Sequence, residues 1–160
     1  MHNIDNSRIL NRGSVAVACL VAGGCTASAQ VPGAVFQQDP LRDGVVSIEA
    51  EHFQAVTVGT QGHAWERITF PTFSGGEAMQ ALPNVGARFN GNYVENSPRL
   101  DYQVEFDRAG IHYIVVRGIA ESSADDTLHA GINGAGTATS DRITGFNRSS
   151  PQWSGETLDF

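Results

Sequence analysis

The chain has 160 residues, a formal net charge of −7 and no lysine, so that all ten of its basic residues are arginine. Without lysine the chain cannot carry out Schiff-base catalysis or bind a nucleotide through a P-loop lysine. Its acidic balance argues against nucleic acid and anionic membranes as partners, because both require a basic footprint on the protein.

The first 29 residues have the pattern of a secretory signal peptide. Arg8 and Arg12 form a positive n-region, residues 14–22 form a short apolar stretch, and Ala27-Ser28-Ala29 matches a signal-peptidase site. The apolar stretch is well short of the ~20 residues that a membrane-spanning helix needs. We therefore predict cleavage after Ala29 and secretion to the periplasm or the exterior, without membrane insertion, with Gln30 as the first mature residue.

A second cleavage route stays open at Cys25. Ala22-Gly23-Gly24-Cys25 resembles a bacterial lipobox, which would make the protein a lipoprotein anchored through Cys25. Both cysteines, Cys19 and Cys25, lie in the leader. Cleavage after Ala29 would therefore leave no thiol, and it would exclude disulfides, Cys-ligated zinc and cysteine nucleophiles from the mature protein.

Residues 30–44 contain Pro32 and Pro40, which block regular structure, and we interpret them as a lead-in or linker. The roughly 130 residues that remain after the leader are enough for one domain with one core, and we place this domain at residues 45–160. The first predicted strand of this domain covers Val45 to Phe53. Alternation along it places apolar and polar side chains on opposite faces. The apolar set is Val46, Ile48 and Ala50, and the polar set is Ser47, Glu49 and Glu51.

The segment from Leu100 to Arg117 is the most informative part of the chain. Leu100 to Phe106 alternates strictly between apolar and polar residues, and Ile111 to Arg117 is β-branched and aromatic. The four intervening residues end in Gly110, and together these features predict an antiparallel hairpin.

Further strands are predicted at Ala78–Leu82 and Leu128–Ile132, and Asn133-Gly134 is typical of a tight turn. Short strands separated by turn residues indicate an all-β fold, an antiparallel β-sandwich. The last residues, Leu158-Asp159-Phe160, have the pattern of another strand that begins there. We therefore expect a sandwich that is truncated at its C-terminal end.

The order and spacing of four segments resemble galactose-binding-like, jelly-roll carbohydrate-binding modules. The segments are Val46–Phe53, Ser97–Tyr102, Ala109–Tyr113 and Val116–Gly118. Similar modules include families 6 and 35 and the C-terminal accessory domain of family 115 glycoside hydrolases. The resemblance implies an exported, non-catalytic, monomeric module with no catalytic residues, which binds a polysaccharide or oligosaccharide and assists a glycan-degrading enzyme.

In these modules acidic residues of the first strand help to hold a structural calcium, and a group from the last strand completes the site. The resemblance assigns this role to Glu49 and Glu51. Two carboxylates at i and i+2 share one face of a strand, and calcium prefers several oxygen ligands. The alternative is that both side chains belong to a solvated strand face.

Sugar recognition in such modules uses aromatic side chains on loops, because the C–H face of a pyranose stacks on a π surface. Trp153, in Ser150-Pro151-Gln152-Trp153, resembles the loop tryptophan of family 6 modules. Trp65 is the second candidate, and Tyr93 with Asn92 is the third. Each tryptophan has an alternative position in the core.

Two other functions stay open at this point. One is an envelope adhesion or structural sandwich that binds protein, and the other is a small glycoside hydrolase or lyase. A hydrolase needs two carboxylates that flank a cleft at a defined separation. The sequence shows no lyase-type cluster of His, Tyr and Lys.

Overall fold

A computed structural model describes residues 35–39, 44–85, 89, 91–106, 111–120, 122, 125–146 and 150–158, and for residues 2–12 and 15–18 it describes the strand pairing. Described strands form two sheets, and the shared core lies between them. This arrangement confirms the predicted all-β sandwich.

The larger sheet contains seven strands. They are β1 His2–Arg12, β3 Phe36–Gln37, β4 Ala55–Thr57, β7 Arg99–Phe106, β9 Thr127–Ile132, β10 Ala135–Gly136 and β11 Ile143–Thr144. Their order is β10-β9-β1-β7-β3, with β11 paired to β9 and β4 paired to β7. The pairs are antiparallel except for β3 with β7, which is parallel.

The smaller sheet contains five antiparallel strands. They are β2 Val15–Ala18, β5 Ala64–Thr69, β6 Glu77–Leu82, β8 His112–Ala120 and β12 Gln152–Leu158, in the order β12-β8-β2-β6-β5. One helical turn, α1 at Tyr93–Asn96, and two 3-10 turns at Thr60–Gly62 and Ser74–Gly76 lie between strands. In the part of the chain that the structure describes, no helix is long and apolar enough to cross a membrane.

The core follows from alternation along the strands. Every second residue of β7, namely Leu100, Tyr102, Val104 and Phe106, is buried, because one face of the strand turns towards the other sheet. The opposing sheet contributes Trp65, Met79 and Val116 to the same cluster. The Tyr102 hydroxyl donates a hydrogen bond of 2.7 Å to the carbonyl of Ala50, so that this buried polar group is satisfied.

The predicted hairpin is wrong in its pairing, although both of its strands exist. β7 belongs to the larger sheet and β8 to the smaller one, so the two strands face each other across the core. The alternating pattern shows only that each strand buries one face. Two strands can do so side by side in one sheet or opposite each other in two packed sheets, and here they are opposite. The predicted turn at residues 107–110 lies outside the described residues.

The predicted strand from Val45 to Phe53 is also wrong. Only Val45 makes a bridge, with Asp39, and the chain then turns where the amide of His52 donates to the carbonyl of Glu49 at 3.0 Å. Because of this turn, the side chains from Val45 to Phe53 do not alternate between two faces as predicted. By contrast, the strands predicted at residues 78–82 and 128–132 are confirmed as β6 and β9.

The turn at Asn133-Gly134 is confirmed as well. Both residues have positive φ, 50° and 82°, which is the conformation of a tight hairpin turn that Asn and Gly adopt most readily. This turn joins β9 to β10.

The predicted leader contributes one strand to each sheet. β1 lies between β7 and β9, and β2 lies between β8 and β6. The cleavage site Ala27-Ser28-Ala29 and the lipobox Cys25 lie outside the described residues. Removal of the leader, the division into leader, linker and module, and the site of secretion stay predictions.

Candidate functional site

Trp153 lies in β12 and not in a loop, which corrects the sequence-based expectation. β12 is the outermost strand of the smaller sheet, and Trp153 pairs with Arg117 of β8. The indole is 46 % exposed. The flanking Ser and Gly suggested a loop, but seven residue pairs with β8 keep this segment extended.

Trp153 shares its side of the sheet with two exposed residues of β8, Tyr113 and Val115, which are 74 % and 50 % exposed. The register places Val115 opposite Gly155 and Tyr113 opposite Thr157. Alternation sends Tyr113, Val115 and Trp153 to the same side, away from the core. We call these three residues the outer aromatic face.

Gly155 keeps the middle of the outer aromatic face open. A Cβ atom at this position would lie 2.5 Å from the Ile114 carbonyl oxygen and 3.0 Å from a Val115 methyl group. No side chain therefore stands between Trp153 and Thr157 along β12. Tyr113 and Arg117 are four residues apart on β8, which corresponds to about 14 Å at ~3.4 Å per residue. The face is long enough for more than one sugar ring.

Arg117 supplies a cation beside Trp153. Its guanidinium carbon lies 5.2 Å from the centroid of the Phe73 ring, within the range of a cation–π contact. Phe73 packs with Ala78, Ile68, Phe70 and Ile119 in a small second apolar cluster. A packed ring therefore fixes the position of the guanidinium at one end of the outer aromatic face.

Trp65 does not lie on an accessible surface, which corrects its assignment as a platform residue. It is 4 % exposed, and its indole N–H donates to the Pro98 carbonyl at 3.2 Å. β5 turns this residue towards the core at the edge of the sheet opposite to β12. Trp65 holds the two sheets together, as the alternative interpretation of the sequence proposed.

Tyr93 and Asn92 lie at a third location. The Tyr93 ring stacks on the His129 ring with a centroid separation of 3.9 Å and an interplanar angle of 7°. Asn92 is exposed, has a left-handed backbone with φ of 49°, and precedes α1. His129 belongs to β9 of the larger sheet, so the structure does not bring these residues together with Trp153.

Glu49 and Glu51 form a buried carboxylate pair beside the 3-10 turn at Ser74–Gly76. Glu51 is 6 % exposed, Glu49 is half-buried, and the Oε2 atom of each has no hydrogen-bond partner among the described residues. Ser74 hydrogen-bonds to Glu49, and a Cβ on Gly75 would lie 3.7 Å from Oε1 of Glu51. The pair is therefore not part of a solvated strand face.

Burial raises the pKa of Glu49 above its ordinary value of 4.5, and the neighbouring Glu51 carboxylate raises it further. The hydrogen bond from Ser74 and the charges of His52 and Arg117 act in the opposite direction but do not outweigh burial. Arg67 does not neutralise the pair: it donates to the backbone carbonyl of Glu51 at 3.1 Å and pairs with Glu77 at 3.4 Å.

The two Oε2 atoms are candidate ligands for a hard cation. Two inward carboxylate oxygens without hydrogen bonds are donors of the type that calcium prefers. Within the described residues no group of three or more His, Cys, Asp and Glu side chains could hold a metal. Glu49 and Glu51 would therefore need further oxygen ligands from backbone carbonyls, water or other groups.

The contribution of Tyr113, Val115 and Arg117 to the exposed face was missed by the sequence-based interpretation. The run from Ile111 to Val116 is continuously apolar or aromatic, which hides the alternation between the two faces. The sequence carries no clear signal that separates the two faces; the structure shows the outer one by the exposure of Tyr113 and Val115 at alternate positions of β8.

We predict that Glu49→Gln stabilises the calcium-free protein at neutral pH. A raised folded-state pKa means that the ionised carboxylate destabilises the folded state, and that this cost disappears as the pH falls through the folded pKa to below 4.5. The gain in free energy of unfolding should therefore be present at neutral pH and absent under acid conditions. Urea denaturation across pH measures it, with the exposed Glu95→Gln as control. A gain that is the same at every pH would contradict the assignment.

Comparison with known proteins places this architecture in a family. An uncharacterised protein, P23, from Formosa agariphila is 26 % identical over 117 residues, which cover 58 % of this chain and 28 % of that protein. The chain thus spans less than a third of the length of that relative. No solved structure matches the chain. The family model for the glycosyl hydrolase family 115 C-terminal domain matches residues 41–159, most of the sandwich described above. The chain belongs to the family of glycosyl hydrolase family 115 C-terminal domains.

Proposed function

We propose that this domain is a non-catalytic carbohydrate-binding module of an exported, monomeric protein that assists glycan degradation. The single observation that carries this proposal is the exposed indole of Trp153 on a sheet face with Tyr113 and Val115. Membership in a family of C-terminal domains of glycosyl hydrolases supports an accessory role.

The outer aromatic face has the chemistry that a polysaccharide needs. The C–H face of a sugar ring packs on an indole or a phenol ring, and polar side chains at the rim select the hydroxyl pattern. Trp153 and Tyr113 supply two rings at opposite ends of the face, and Val115 supplies an apolar floor between them. Arg117 supplies donors next to Trp153. An elongated glycan fits this surface better than a single sugar does.

We propose further that calcium stabilises the sandwich through Glu49 and Glu51. The support is the pair of buried Oε2 atoms without hydrogen bonds and the raised pKa of Glu49. When bound, calcium would supply positive charge beside Glu49, whose pKa is raised by burial and by the neighbouring Glu51 carboxylate. The chain's own contribution is to hold both side chains against the turn at Ser74–Gly76.

The proposed function includes export of the protein from the cytoplasm. The Ala27-Ser28-Ala29 site would release Gln30 as the first residue of the secreted protein, and Cys25 supplies the alternative lipoprotein anchor. An extracellular or periplasmic location would bring the module to polysaccharides that do not enter the cell.

We predict that Trp153→Ala weakens polysaccharide binding about tenfold to a hundredfold, roughly 1.4–2.8 kcal/mol, and leaves the melting temperature close to that of the parent. The indole is half exposed, so its removal costs little core packing. Affinity-gel retardation on xylan, galactan and other plant or algal glycans measures the loss, and thermal melting measures the fold.

Two further variants serve as controls for the Trp153→Ala result. Trp65→Ala removes a buried indole and should cost ~3–5 kcal/mol of stability, whereas Val58→Ala removes an exposed apolar side chain away from the outer aromatic face and should change neither property. Undiminished binding of every retarding glycan by Trp153→Ala would exclude the face. Protein binding without glycan binding would favour adhesion, and glycan turnover would favour an enzyme.

Calcium is expected to raise the melting temperature of the parent. Binding to the folded state alone adds about 2.7 kcal/mol at a hundredfold excess over Kd. The double change Glu49→Gln and Glu51→Gln should abolish that increment, while the exposed control Glu66→Gln should retain it. An unchanged increment in the double variant would place the calcium elsewhere.

Mass spectrometry of the exported protein tests the leader. We expect an N-terminus at Gln30, with or without cyclisation of the glutamine. A lipid-modified N-terminus at Cys25 would establish the lipoprotein route instead, and an intact Met1 would contradict both routes.

A further inference from the structure

The middle position of each sheet is filled by residues from one short segment near the N-terminus. β1 is antiparallel to β7 on one side and to β9 on the other, with Ser7 opposite both Tyr102 and Ile132. β2, which begins at Val15, lies in the other sheet and is antiparallel to β8 and to β6. The 11 residues of β1 and the four residues of β2 thus complete both sheets.

Among the strands that the structure describes, the others do not pair with each other across these positions. Without β1, the larger sheet would separate into β7 with β3 and β4, and β9 with β10 and β11. Without β2, the smaller sheet would separate into β8 with β12, and β6 with β5. Both sheets therefore depend on the same segment.

The edges that border these positions are buried. Leu100 and Tyr102 of β7 are each 1 % exposed, and Leu128 and Ala130 of β9 are fully buried. These values describe the full chain with β1 in place, where main-chain N–H and C=O groups need partners within the protein. Without β1, the facing edges of β7 and β9 would each present a row of unpaired main-chain groups, which is a template for pairing with another strand.

The segment that fills these positions lies outside the family match. The match covers residues 41–159, whereas β1 and β2 end before it begins and lie in the predicted leader. The matched part of the chain therefore supplies the walls of both positions but neither of the strands that fill them.

We propose that the sandwich formed by residues 35–158 is a strand acceptor with one open position in the centre of each sheet, and that residues 2–18 fill both positions in the uncleaved chain. Recognition of this kind is β-augmentation, in which main-chain hydrogen bonds supply the affinity. The segment must be extended and antiparallel to both neighbours, and it must cross from one sheet to the other through a short link. Cleavage after Ala29 would separate the filling segment from its acceptor. The exported module of the proposed function would therefore need the released segment, or another extended segment, at both positions to keep its sheets whole.

Disulfide trapping in the full chain tests the register. Asn3 and Glu105 are Cα partners, and antiparallel partners lie ~4.5–5.5 Å apart, within the ~4.4–6.8 Å range of a disulfide. With Cys19 and Cys25 replaced by serine, Asn3→Cys with Glu105→Cys should oxidise to one intramolecular bond. Leu10→Cys with Glu105→Cys is the control, because Leu10 pairs with Arg99 six residues away, at about 20 Å. Equal trapping in both variants, or trapping only in the control, would overturn the register.

Cleavage tests the acceptor itself. A site-specific protease sequence placed at residues 27–29 of the full chain releases the segment, and a labelled peptide of residues 2–18 is then added to the washed product. We expect cleavage and washing to abolish the cooperative melting transition, and the peptide to bind with 1:1 stoichiometry and restore it. The same peptide with Ile9→Pro should bind at least tenfold more weakly, because proline removes a main-chain donor from the strand.

Each other outcome contradicts the proposal. A cleaved and washed protein that melts as the parent does would show that its sheets need no added strand. A cleaved protein that stays unfolded with the peptide present would show that residues 2–18 do not fill an acceptor. Neither result touches the outer aromatic face, which the Trp153→Ala measurement on the uncleaved chain tests separately.

Discussion

Main-chain pairing at the centre of the two sheets is the constraint on which the rest of this structure depends. β7 and β9 are held at their separation by the strand between them, and the same is true of β8 and β6. Tyr102, Leu128 and Val116, from β7, β9 and β8, pack in one core cluster between these sheets. The outer aromatic face depends on the pairing of β8 with β12, because its residues come from these two strands.

Because side chains alternate along a strand, the residues that stabilise the core of this fold and the residues of its exposed face lie on opposite sides of the same strands. Val116 points inwards and is buried, whereas its neighbours Val115 and Arg117 point outwards. The two tryptophans show the same division, since Trp65 is enclosed between the sheets and Trp153 is half exposed at the opposite edge. A single strand such as β8 can therefore hold the core with one face and present a binding surface with the other.

The sequence was sufficient to predict the fold class and several strands, and insufficient to predict how the strands pair. Alternation in β7 shows that one face is buried, but it carries no information on which strand lies beside it, so the predicted hairpin joined strands of different sheets. Trp153 was assigned to a loop because Ser, Pro and Gly surround it, and only the register with β8 shows that it is extended. The carboxylate pair was found by resemblance, while its burial depends on a turn at Glu49–His52 that alternation does not predict.

Glu49 and Glu51 stand out because they oppose the stability that the surrounding packing provides. Buried carboxylate oxygens without hydrogen bonds destabilise a folded protein, and their mutual repulsion adds to that cost. Natural sequences tolerate such local conflicts mainly at functional sites. A bound divalent cation, as proposed above, would reverse the sign of the interaction, because its positive charge would attract both carboxylates and offset the cost of their burial. The proposed calcium would thus account for a conflict that the packing around the turn at Ser74–Gly76 leaves unresolved.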